Sequence, residues 1–516
     1  MKKLSYSIFL LLVVIFWSSC RNDFETVPSS GKLEFSKDTV YLDTVFSNIG
    51  SSTYKLKVYN RSKEDIHIPL VKLGQGESSF YRLNVDGVAG KVFHDVEILA
   101  KDSIFIFIET TVDIQNFPDN LTFLYTDVIE FDSGSNLQTV NLVTLVQDAV
   151  FLYPDRYENG TTETLVIGEG EDAYEIYGFF LDPSELHFTN EKPYVIYGYA
   201  AIPPNQTLTI DPGARIHFHE ASGIIAANGS SIKSIGALSS DMELLENEII
   251  FQGDRLEPFY ENRPGQWGMI WLTTGSTGHE FNYTTIKNSV VGIIMDSNDG
   301  TNTPNLSLKN TQIYNTALSG IISRTGFIDG ENVVVGNSGR ELLSLTLGGR
   351  YNFRHSTFAN YSTFGPFRSE PAVYVSNYLQ VSESEIFTAD LVEANFDNCI
   401  IFGSNQREFI VGKNDMATMN FSVNHSLVRF EDPQGNFEDD PLFDFSNPEY
   451  YQNIVLNQNP YFFSTENNQY NISHDSGANG IGNQAVTQQV PLDITGQLRG
   501  NPSDAGAYES IIFPEQ

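Results

Sequence analysis

A short pattern recurs along the second half of the chain: a large apolar residue, four intervening residues and a second apolar residue. The copies are Phe281 to Ile286, Leu308 to Ile313, Ile328 to Val333, Phe353 to Phe358, Phe396 to Ile401 and Val423 to Val428. Their starts lie 27, 20, 25, 43 and 27 residues apart, with no helical period between them. A strand-length unit that recurs at such intervals predicts a solenoid of stacked β-coils.

Asn follows the second apolar residue by two positions in three copies, at Asn288, Asn315 and Asn360. Asn residues at matching coil corners can hydrogen-bond between neighbouring turns, but Asn also favours turns in general. Both interpretations stay open at this point. The 43-residue step from Phe353 to Phe396 predicts one degenerate coil around Ala372–Ile386, beside an inserted loop.

The charge of the chain limits its partners. Thirty Lys and Arg residues stand against 65 Asp and Glu, which gives a net charge of −35. Such a surface repels phosphate backbones, so we expect no nucleic-acid partner. It also disfavours unaided capture of a polyanionic glycan. No cofactor is predicted, with bridging calcium left as an open alternative.

The N-terminus is typical of an exported protein. Lys2 and Lys3 precede an apolar run at residues 8–17 (IFLLLVVIFW), and Ser18-Ser19-Cys20 follows. Ten apolar residues are too few to span a membrane, so residues 1–19 are interpreted as a signal peptide.

The junction resembles the lipobox of bacterial lipoproteins, which implies that Cys20 is lipidated. Trp17 departs from the Leu usual in that motif. A lipid on Cys20 would anchor the chain to the cell envelope, as an outer-membrane lipoprotein with the membrane as its partner. Polar residues 20–31 would form a flexible tether. Cys399 is then the one thiol of the body, and we expect it to be buried and structural.

Two β-rich regions follow the tether. Residues 32–148 contain seven or eight short alternating strands at intervals of roughly 8–14 residues, which predicts an immunoglobulin-like β-sandwich. Residues 149–193 are interpreted as a linker or cap. The solenoid is expected over residues 194–430, with 254–266 as a loop that leaves the coils. Residues 431–516 are expected to form C-terminal coils and a capping segment.

Several of these segments resemble a known architecture. LTIDPGARIHF, QWGMIWL and the later DPLF and DAGAYE segments are similar to the right-handed parallel β-helix, the pectate-lyase-like solenoid, of secreted and surface bacterial proteins. The whole chain resembles uncharacterised β-helix lipoproteins of the Bacteroidetes type. That resemblance implies an all-β fold, with DAGAYE as a cap on the last coil, and implies no particular activity.

Candidate catalytic residues cluster in GGRYNFRHS. Arg350 and Arg354 alternate with strand period, so both can emerge on one face beside His355. Lyases on this fold use a basic residue to abstract a proton, and cationic groups stabilise the resulting anion. Trp267 and Trp271 are expected to share a face. Trp267 is interpreted as core, and Trp271 as a candidate for stacking on sugar rings.

The acidic and histidine residues give weaker patterns. His217 and His219 can form half of a metal site, but surface strand positions are the default explanation for both, so no metal site is predicted. Acids around the Cys399 strand (Asp390, Glu393 and Asp397) can supply the carboxylate pair of a glycoside hydrolase. A second acidic group at residues 431–440 can bind calcium or simply remain solvated.

The sequence therefore predicts a lipid-anchored cell-envelope protein that binds or scaffolds rather than catalyses. Carbohydrate or a partner protein at the cell surface would be its ligand. The alternative is a polysaccharide lyase or glycoside hydrolase that acts in a groove of the β-helix. This fold class hosts both kinds of function, so the fold does not decide between them.

Overall fold

The computed structural model describes residues 25–513, apart from 114–121, 169, 171–172, 297–299, 366–367 and 383–384. The predicted signal peptide, Cys20 and the start of the tether lie outside the described residues. The described chain is almost entirely β, and it divides at Asp148 into two compact units. Within these ranges, no helix has both the length and the apolar character that crossing a membrane requires.

The N-terminal unit contains two sheets. One sheet holds Val27–Pro28, Thr39–Phe46, Ile66–Leu73, Val92–Ile98, Thr122–Phe131 and Gln138–Gln147. The other is antiparallel and holds Glu34–Phe35, Tyr54–Tyr59, Tyr81–Val85, Val88–Gly90 and Ser103–Thr110. Buried and exposed residues alternate along these strands. In Ser103–Thr110, Ile104, Ile106 and Ile108 are buried, while Phe105 and Phe107 are exposed. Both sheets bury their inward residues in a single core.

The C-terminal unit is a β-helix-like solenoid with three strand ladders, which we call faces 1, 2 and 3. Face 1 holds Thr164–Ile167, Tyr174–Phe180, Tyr199–Ile202, Gly223–Ala226, Ile270–Leu272, Ile293–Met295, Ile321–Arg324, Leu343–Thr346, Val373–Ser376 and Phe409–Gly412. Face 2 holds His187–Phe188, Thr207–Ile210, Ser231–Ile235, Phe327–Glu331, Gly349–Arg354, Leu391–Asp397, Ser422–Asn424 and Tyr451–Gln452.

Face 3 holds Val150–Leu152, Tyr194–Ile196, Arg215–Phe218, Ile249–Gly253, Val334–Ser338, Thr357–Asn360, Ile400–Gly403, Leu427–Val428 and Val455–Leu456. Two long strands, His279–Lys287 and Leu306–Thr316, run through both face 2 and face 3. Coil-to-coil pairing is parallel throughout, and only Thr164–Ile167 joins its neighbour in an antiparallel way. Each coil therefore passes faces 1, 2 and 3 in turn and buries one continuous core.

The sequence repeat marks the corner between faces 2 and 3. Its two apolar residues are the core positions on either side of this corner, such as Phe281 on face 2 and Ile286 on face 3. From Phe281 onward, the corner itself is made by one residue with positive φ in each coil. These residues stack in register as Tyr283, Asn310, Asn332, His355, Asn398, His425 and Asn453. Asn tolerates this left-handed conformation better than most residues, which explains its recurrence.

An asparagine ladder exists, but mainly at this corner rather than at the one the sequence indicated. Here Asn332 donates to Asn310 Oδ1 at 2.9 Å, and Asn398 donates to His355 Nε2 at 2.8 Å. At the corner after face 3, Asn315 donates to Asn288 Oδ1 at 3.4 Å. The aligned residue of the next coil, Asn337, instead donates to the backbone oxygen of Thr465 at 2.8 Å. Asn360, one coil further, donates to the backbone oxygen of Arg340 at 2.8 Å.

The register of one repeat copy was wrong. Ile328 and Val333 are both buried, but Leu308 aligns with Gly330 and Ile313 aligns with Val335. Gly330 escaped notice because it is not apolar. A Cβ there would lie 2.5 Å from a ring carbon of Phe353, whose side chain fills the space in its place.

The degenerate coil expected between Phe353 and Phe396 does not exist. Strand Gly349–Arg354 pairs directly with Leu391–Asp397, so these two strands belong to consecutive coils. The additional residues form a loop after Asn360 and an antiparallel hairpin of Tyr378–Ser382 with Glu385–Thr388. Length alone could not separate an inserted hairpin from an inserted coil.

The ends of the solenoid also differ from expectation. Segment 149–193, interpreted as a linker or cap, supplies first strands of all three faces. At the other end, aromatic residues pack against one another and against the core: Phe430, Phe437, Phe443 and Phe445. The DPLF segment, through Phe443, therefore belongs to this aromatic cluster at the end of the core.

The DAGAYE segment does not cap the last coil. After the hairpin Phe462–Ser464 with Gln469–Ile472 and the short helix Gln484–Thr487, the chain runs along the outside of face 3. Ala507 N donates to Thr357 Oγ1 at 3.0 Å, and Tyr508 packs beside Tyr314. The motif thus covers the side of several coils.

Candidate functional site

The outer surface of face 1 carries an open groove of about 670 Å³. Phe180, Ala201, Ile225 and Trp271 occupy successive aligned positions on four strands and form its floor. Strand Thr164–Ile167 supplies an apolar wall, and polar groups come from Asn228, Thr273, Thr274 and Asp296. Phe180 is 50% exposed and Trp271 is half-buried, so an aromatic ring stands at each end of this row, with Ala201 and Ile225 between them.

Trp271 is held in a fixed orientation within this groove. Its Nε1 donates to Asp296 Oδ2 at 2.9 Å, and Asp296 Oδ1 accepts from Arg324 at 2.9 Å. Thr274 Oγ1 donates to the backbone oxygen of Asp296 at 2.9 Å. A half-buried indole fixed at its polar edge presents its apolar face without further ordering, which suits stacking on a flat ligand.

Trp267 and Trp271 do not share a face. Trp267 is buried, stacks on Phe218 with ring centroids 4.3 Å apart, and donates to the backbone oxygen of Lys287. The expectation that it belongs to the core is confirmed. The strand begins only at Ile270, so the period-two argument did not extend back to Trp267.

Arg350 and Arg354 do emerge together on the outside of face 2, because burial alternates along Gly349–Arg354. Arg350 bonds Asn302 Oδ1 at 3.1 Å. Arg354 bonds both Asp329, at 2.8 Å, and Glu331, at 3.0 Å. Burial opposes ionisation of Arg354, but the hydrogen bonds that it donates to these two carboxylates prevail and raise its pKa. A guanidinium held in its charged form is a poor proton-abstracting base.

His355 is not beside these arginines on the surface. It is fully buried as one residue of the left-handed corner, where its Nε2 bonds Asn398 and Thr487 Oγ1. Burial lowers its pKa to about 2. Sequence adjacency to Arg354 was misleading, since the chain turns at this residue and the next strand faces another direction. The catalytic candidate is therefore a structural corner residue.

Outer residues of face 2 form a polar band around Arg354. Glu331, Arg354 and Asp397 are aligned on three consecutive strands. Asn395 donates to Asn352 Oδ1 at 2.8 Å, and Asn424 donates to Asp397 Oδ1 at 2.9 Å. Burial raises the pKa of the Asp397 carboxyl, against the effects of the Asn424 hydrogen bond and the Arg354 charge.

The remaining acids near Cys399 are separate from that arrangement. Glu393 accepts from Asn352 at 3.2 Å within the band, whereas Asp390 lies at the strand end and accepts from Thr418 N at 2.7 Å. That backbone hydrogen bond lowers the pKa of Asp390. Cys399 is buried, and burial raises the pKa of its thiol, as expected for a structural residue.

His217 and His219 occupy different environments. His217 is buried and bonds Gly253 O at 3.1 Å, and burial lowers its pKa to about 4. His219 is exposed and bonds Asp254 Oδ2 at 2.7 Å. Across the described ranges, no three His, Cys, Asp or Glu side chains are grouped as metal ligands.

The acidic group at 431–440 serves local structure. Asp432 lies 3.6 Å from Arg407 and accepts from Phe437 N at 2.7 Å. Asp440 accepts from Leu442 N at 3.0 Å and begins the 3-10 turn Pro441–Phe443. Turn capping thus explains two of these acids. Calcium binding stays a prediction.

Sequence reasoning missed Asp296, Phe180, Asp329 and Glu331. Asp296 lies 25 residues along the chain from Trp271, and Phe180 lies 91 residues from it. Stacking alone brings them together. For Asp329 and Glu331 a signal was present, because they alternate on a strand one coil before Arg350 and Arg354.

Comparisons with known proteins give no family assignment. No family model and no curated protein matches the chain. Among solved structures, the periplasmic chaperone SfaE is similar over 22% of this chain and 57% of its own, at 10% identity and a TM-score of 0.15. A family 123 glycoside hydrolase from Clostridium perfringens is similar over 23% of this chain and 30% of its own, at 9% identity and a TM-score of 0.16.

Proposed function

We propose that the protein is a lipid-anchored component of the cell envelope that binds a neutral glycan in the groove of face 1. The observation that carries the proposal is the Trp271 ring, fixed by Asp296 in the same groove as the exposed Phe180 ring. Two aromatic rings along one apolar floor offer stacking surfaces, and Asn228, Thr273 and Thr274 offer hydrogen bonds to hydroxyl groups.

The length of the groove favours an oligosaccharide over a single sugar. Phe180 and Trp271 lie three strand steps apart, which corresponds to about 14 Å at the usual strand spacing. Beyond Trp271 the same column continues with Ile294, Ile322 and then Ser344, so the apolar stripe runs further along the coils. The net charge of −35 favours an uncharged ligand.

Calorimetric titration with neutral oligosaccharides identified on a glycan array tests the proposal. We expect binding by the purified chain and a loss of at least tenfold in affinity for Trp271→Ala, about 1.4 kcal/mol. Phe105→Ala is the matched control, because it removes an exposed aromatic ring from the N-terminal unit. Absence of any neutral ligand, or equal affinity of both variants, would contradict the proposal.

A glycoside hydrolase is the second candidate, supported by the band on face 2. Glu331 and Asp397 lie two strand steps apart with Arg354 between them, a backbone separation of about 10 Å. Inverting glycosidases hold their acid and base roughly 6.5–9.5 Å apart, and the acid has a raised pKa. Asp397 would be the acid, since burial raises its pKa, and Glu331 would be the base.

Polysaccharide degradation assays, with and without calcium, separate the two functions. If the chain is a hydrolase, Asp397→Asn and Glu331→Gln should each abolish product, while Asp390→Asn should not. Product formation lost in these variants would replace binding by catalysis as the primary function. Products with an unsaturated sugar end would instead indicate a lyase.

The anchor and the N-terminal unit complete the proposal. Lipidation of Cys20 would place both units at the outer membrane, and metabolic labelling with a fatty acid should be lost in Cys20→Ser. The two sheets of residues 32–148 would form an immunoglobulin-like sandwich, and the solenoid would be right-handed, as nearly all parallel crossovers are. An experimental structure tests both points.

A further inference from the structure

A separate cavity lies beside the loop 254–266, at the turn that follows face 3. It has a volume of about 320 Å³, and its lining includes His219, Asp254, Phe259 and Arg263. The later part of this loop is held against the next coil by a hydrogen bond from Asn288 to Glu261 O, at 2.9 Å. The cavity is thus a formed feature of the solenoid and is distinct from the groove on face 1.

Arg263 contributes a guanidinium to this cavity. Its guanidinium stacks on the Phe259 ring at 4.3 Å and on the Phe364 ring at 5.4 Å. Throughout the ranges that the structure describes, it forms no ion pair with a carboxylate. Arg255 in the same loop, by contrast, is paired with Glu257 at 2.8 Å. Arg263 therefore brings to the cavity a positive charge that no carboxylate in the described ranges neutralises by an ion pair.

His219 is fixed in the same cavity. Its Nδ1 bonds Asp254 Oδ2 at 2.7 Å, and its ring packs against Tyr197 with centroids 4.5 Å apart. The Asp254 side chain is only 9% exposed, and one of its carboxylate oxygens is held by this contact with the histidine. This arrangement orients the imidazole and leaves Nε2 as the ring nitrogen that a ligand can meet.

We propose that this cavity binds a small organic monocarboxylate, with a body no larger than one sugar ring. The Arg263 fork would bind the carboxylate in two parallel hydrogen bonds, the geometry that a planar guanidinium favours. The Phe259 ring, 65% exposed, would pack against the body of the ligand. Stacking already fixes the guanidinium, so little ordering is required on binding.

The size limit follows from volume and charge together. A cavity of 320 Å³ holds about one ring. The acidic surface repels a ligand with many charges over distances of about a Debye length, whereas a single carboxylate meets Arg263 at contact distance. The site therefore favours a lone carboxylate over a polyanion.

Calorimetric titration of the purified chain tests the inference. The probes are D-glucuronate and N-acetylphenylalanine, which carry the carboxylate on a sugar and on a peptide-like body, with glucose and acetate as references. We expect one of the two acids to bind more tightly than glucose or acetate. Arg263→Met should weaken that binding at least tenfold, and Arg263→Lys should weaken it less.

Arg82→Met is the control, because it removes an equal charge from the N-terminal unit. Trp271→Ala should leave the acid titration unchanged, so failure of the glycan proposal does not affect this result. The inference is overturned if neither acid binds, if glucose or acetate binds as tightly, or if Arg263→Met matches Arg82→Met.

Discussion

Face 3 and face 1 of the solenoid are built from the same kind of strand, yet their outer surfaces differ. The C-terminal segment packs along face 3 and buries Tyr314, Val334 and Ala359 there. On face 1 the aligned residues around Trp271 stay open as a groove. Stacking of the coils therefore determines only which residues face inward. What covers the outside decides which face can bind a ligand.

The largest loss of stability is expected for Arg499→Met, which tests how firmly the C-terminal segment is held on face 3. The Arg499 side chain is fully buried and bonds Glu509 at 3.2 Å and Asn332 Oδ1 at 2.8 Å. Its removal leaves the Glu509 charge without its partner, which typically costs about 3–5 kcal/mol. We expect urea unfolding at lower concentration and faster hydrogen exchange over the segment that covers face 3.

Lys413→Met is the control for that loss. Its partner Asp415 is almost fully exposed, so the pair contributes at most about 0.5 kcal/mol. If Arg499→Met and Lys413→Met unfold alike, the segment is only loosely attached, and the distinction between the two faces is wrong.

A smaller effect is expected from Asn332→Ala at the corner. Asn332 donates to Asn310 Oδ1 and to Leu492 O, and it accepts from Arg499. Loss of these bonds, with the cost of a left-handed Ala, should lower the free energy of unfolding by about 2–3 kcal/mol. Asn424→Ala, which removes a hydrogen bond from an extended outer position of face 2, should cost about 1 kcal/mol.

His355→Asn tests the same corner through pH. Burial lowers the pKa of His355 in the folded state to about 2, whereas the unfolded chain binds a proton near pH 6.5. The stability that the neutral imidazole contributes is therefore present above pH 6.5 and lost as pH falls. The loss is about 1.4 kcal/mol per pH unit.

Asn keeps the corner conformation and does not titrate. The difference in stability between His355→Asn and the original chain should therefore grow in favour of Asn from pH 6 to pH 4, measured by urea unfolding. The buried His217 and His279 are present in both proteins and cancel. A difference independent of pH would show that His355 is accessible to protons.

The smallest effect on stability is expected on the open face. Trp271→Ala removes a half-buried ring, so it should cost about 1 kcal/mol in thermal or urea unfolding, while Trp267→Ala should cost about 3–5 kcal/mol. Equal costs would mean that the groove is part of the core rather than a binding surface.

The sequence predicted the all-β class, the solenoid and the division near residue 148, because spacing and alternation report on inward residues. It could not predict which segment lies over face 3. The DAGAYE residues indicate local turn structure and say nothing about distant partners. Their contacts with Thr357 and Tyr314 span about 150 and 190 residues of sequence. The pairing of Trp271 with Asp296 was equally hidden, since it depends on the next coil.

The expectation that His355 lies beside Arg354 on the surface was wrong for a related reason. Adjacent positions were assumed to share a surface, but His355 is the point at which the chain changes face. Arg350 and Arg354 were placed together correctly because they lie within one strand. Strand period is thus a dependable guide only between two corners.

The one-residue corner has a further consequence for how the chain can change in length. From Phe281 onward, each aligned core position on face 2 is followed five residues later by its counterpart on face 3, through to Tyr451 and Leu456. Insertions such as the hairpin Tyr378–Ser382 with Glu385–Thr388 occur elsewhere in the coil. Across these coils the corner therefore keeps one length, whereas in the preceding coil residues 236–248 form a loop at the same place. The fixed spacing thus belongs to the repeat that begins at Phe281, and added length within that repeat lies at the other two turns.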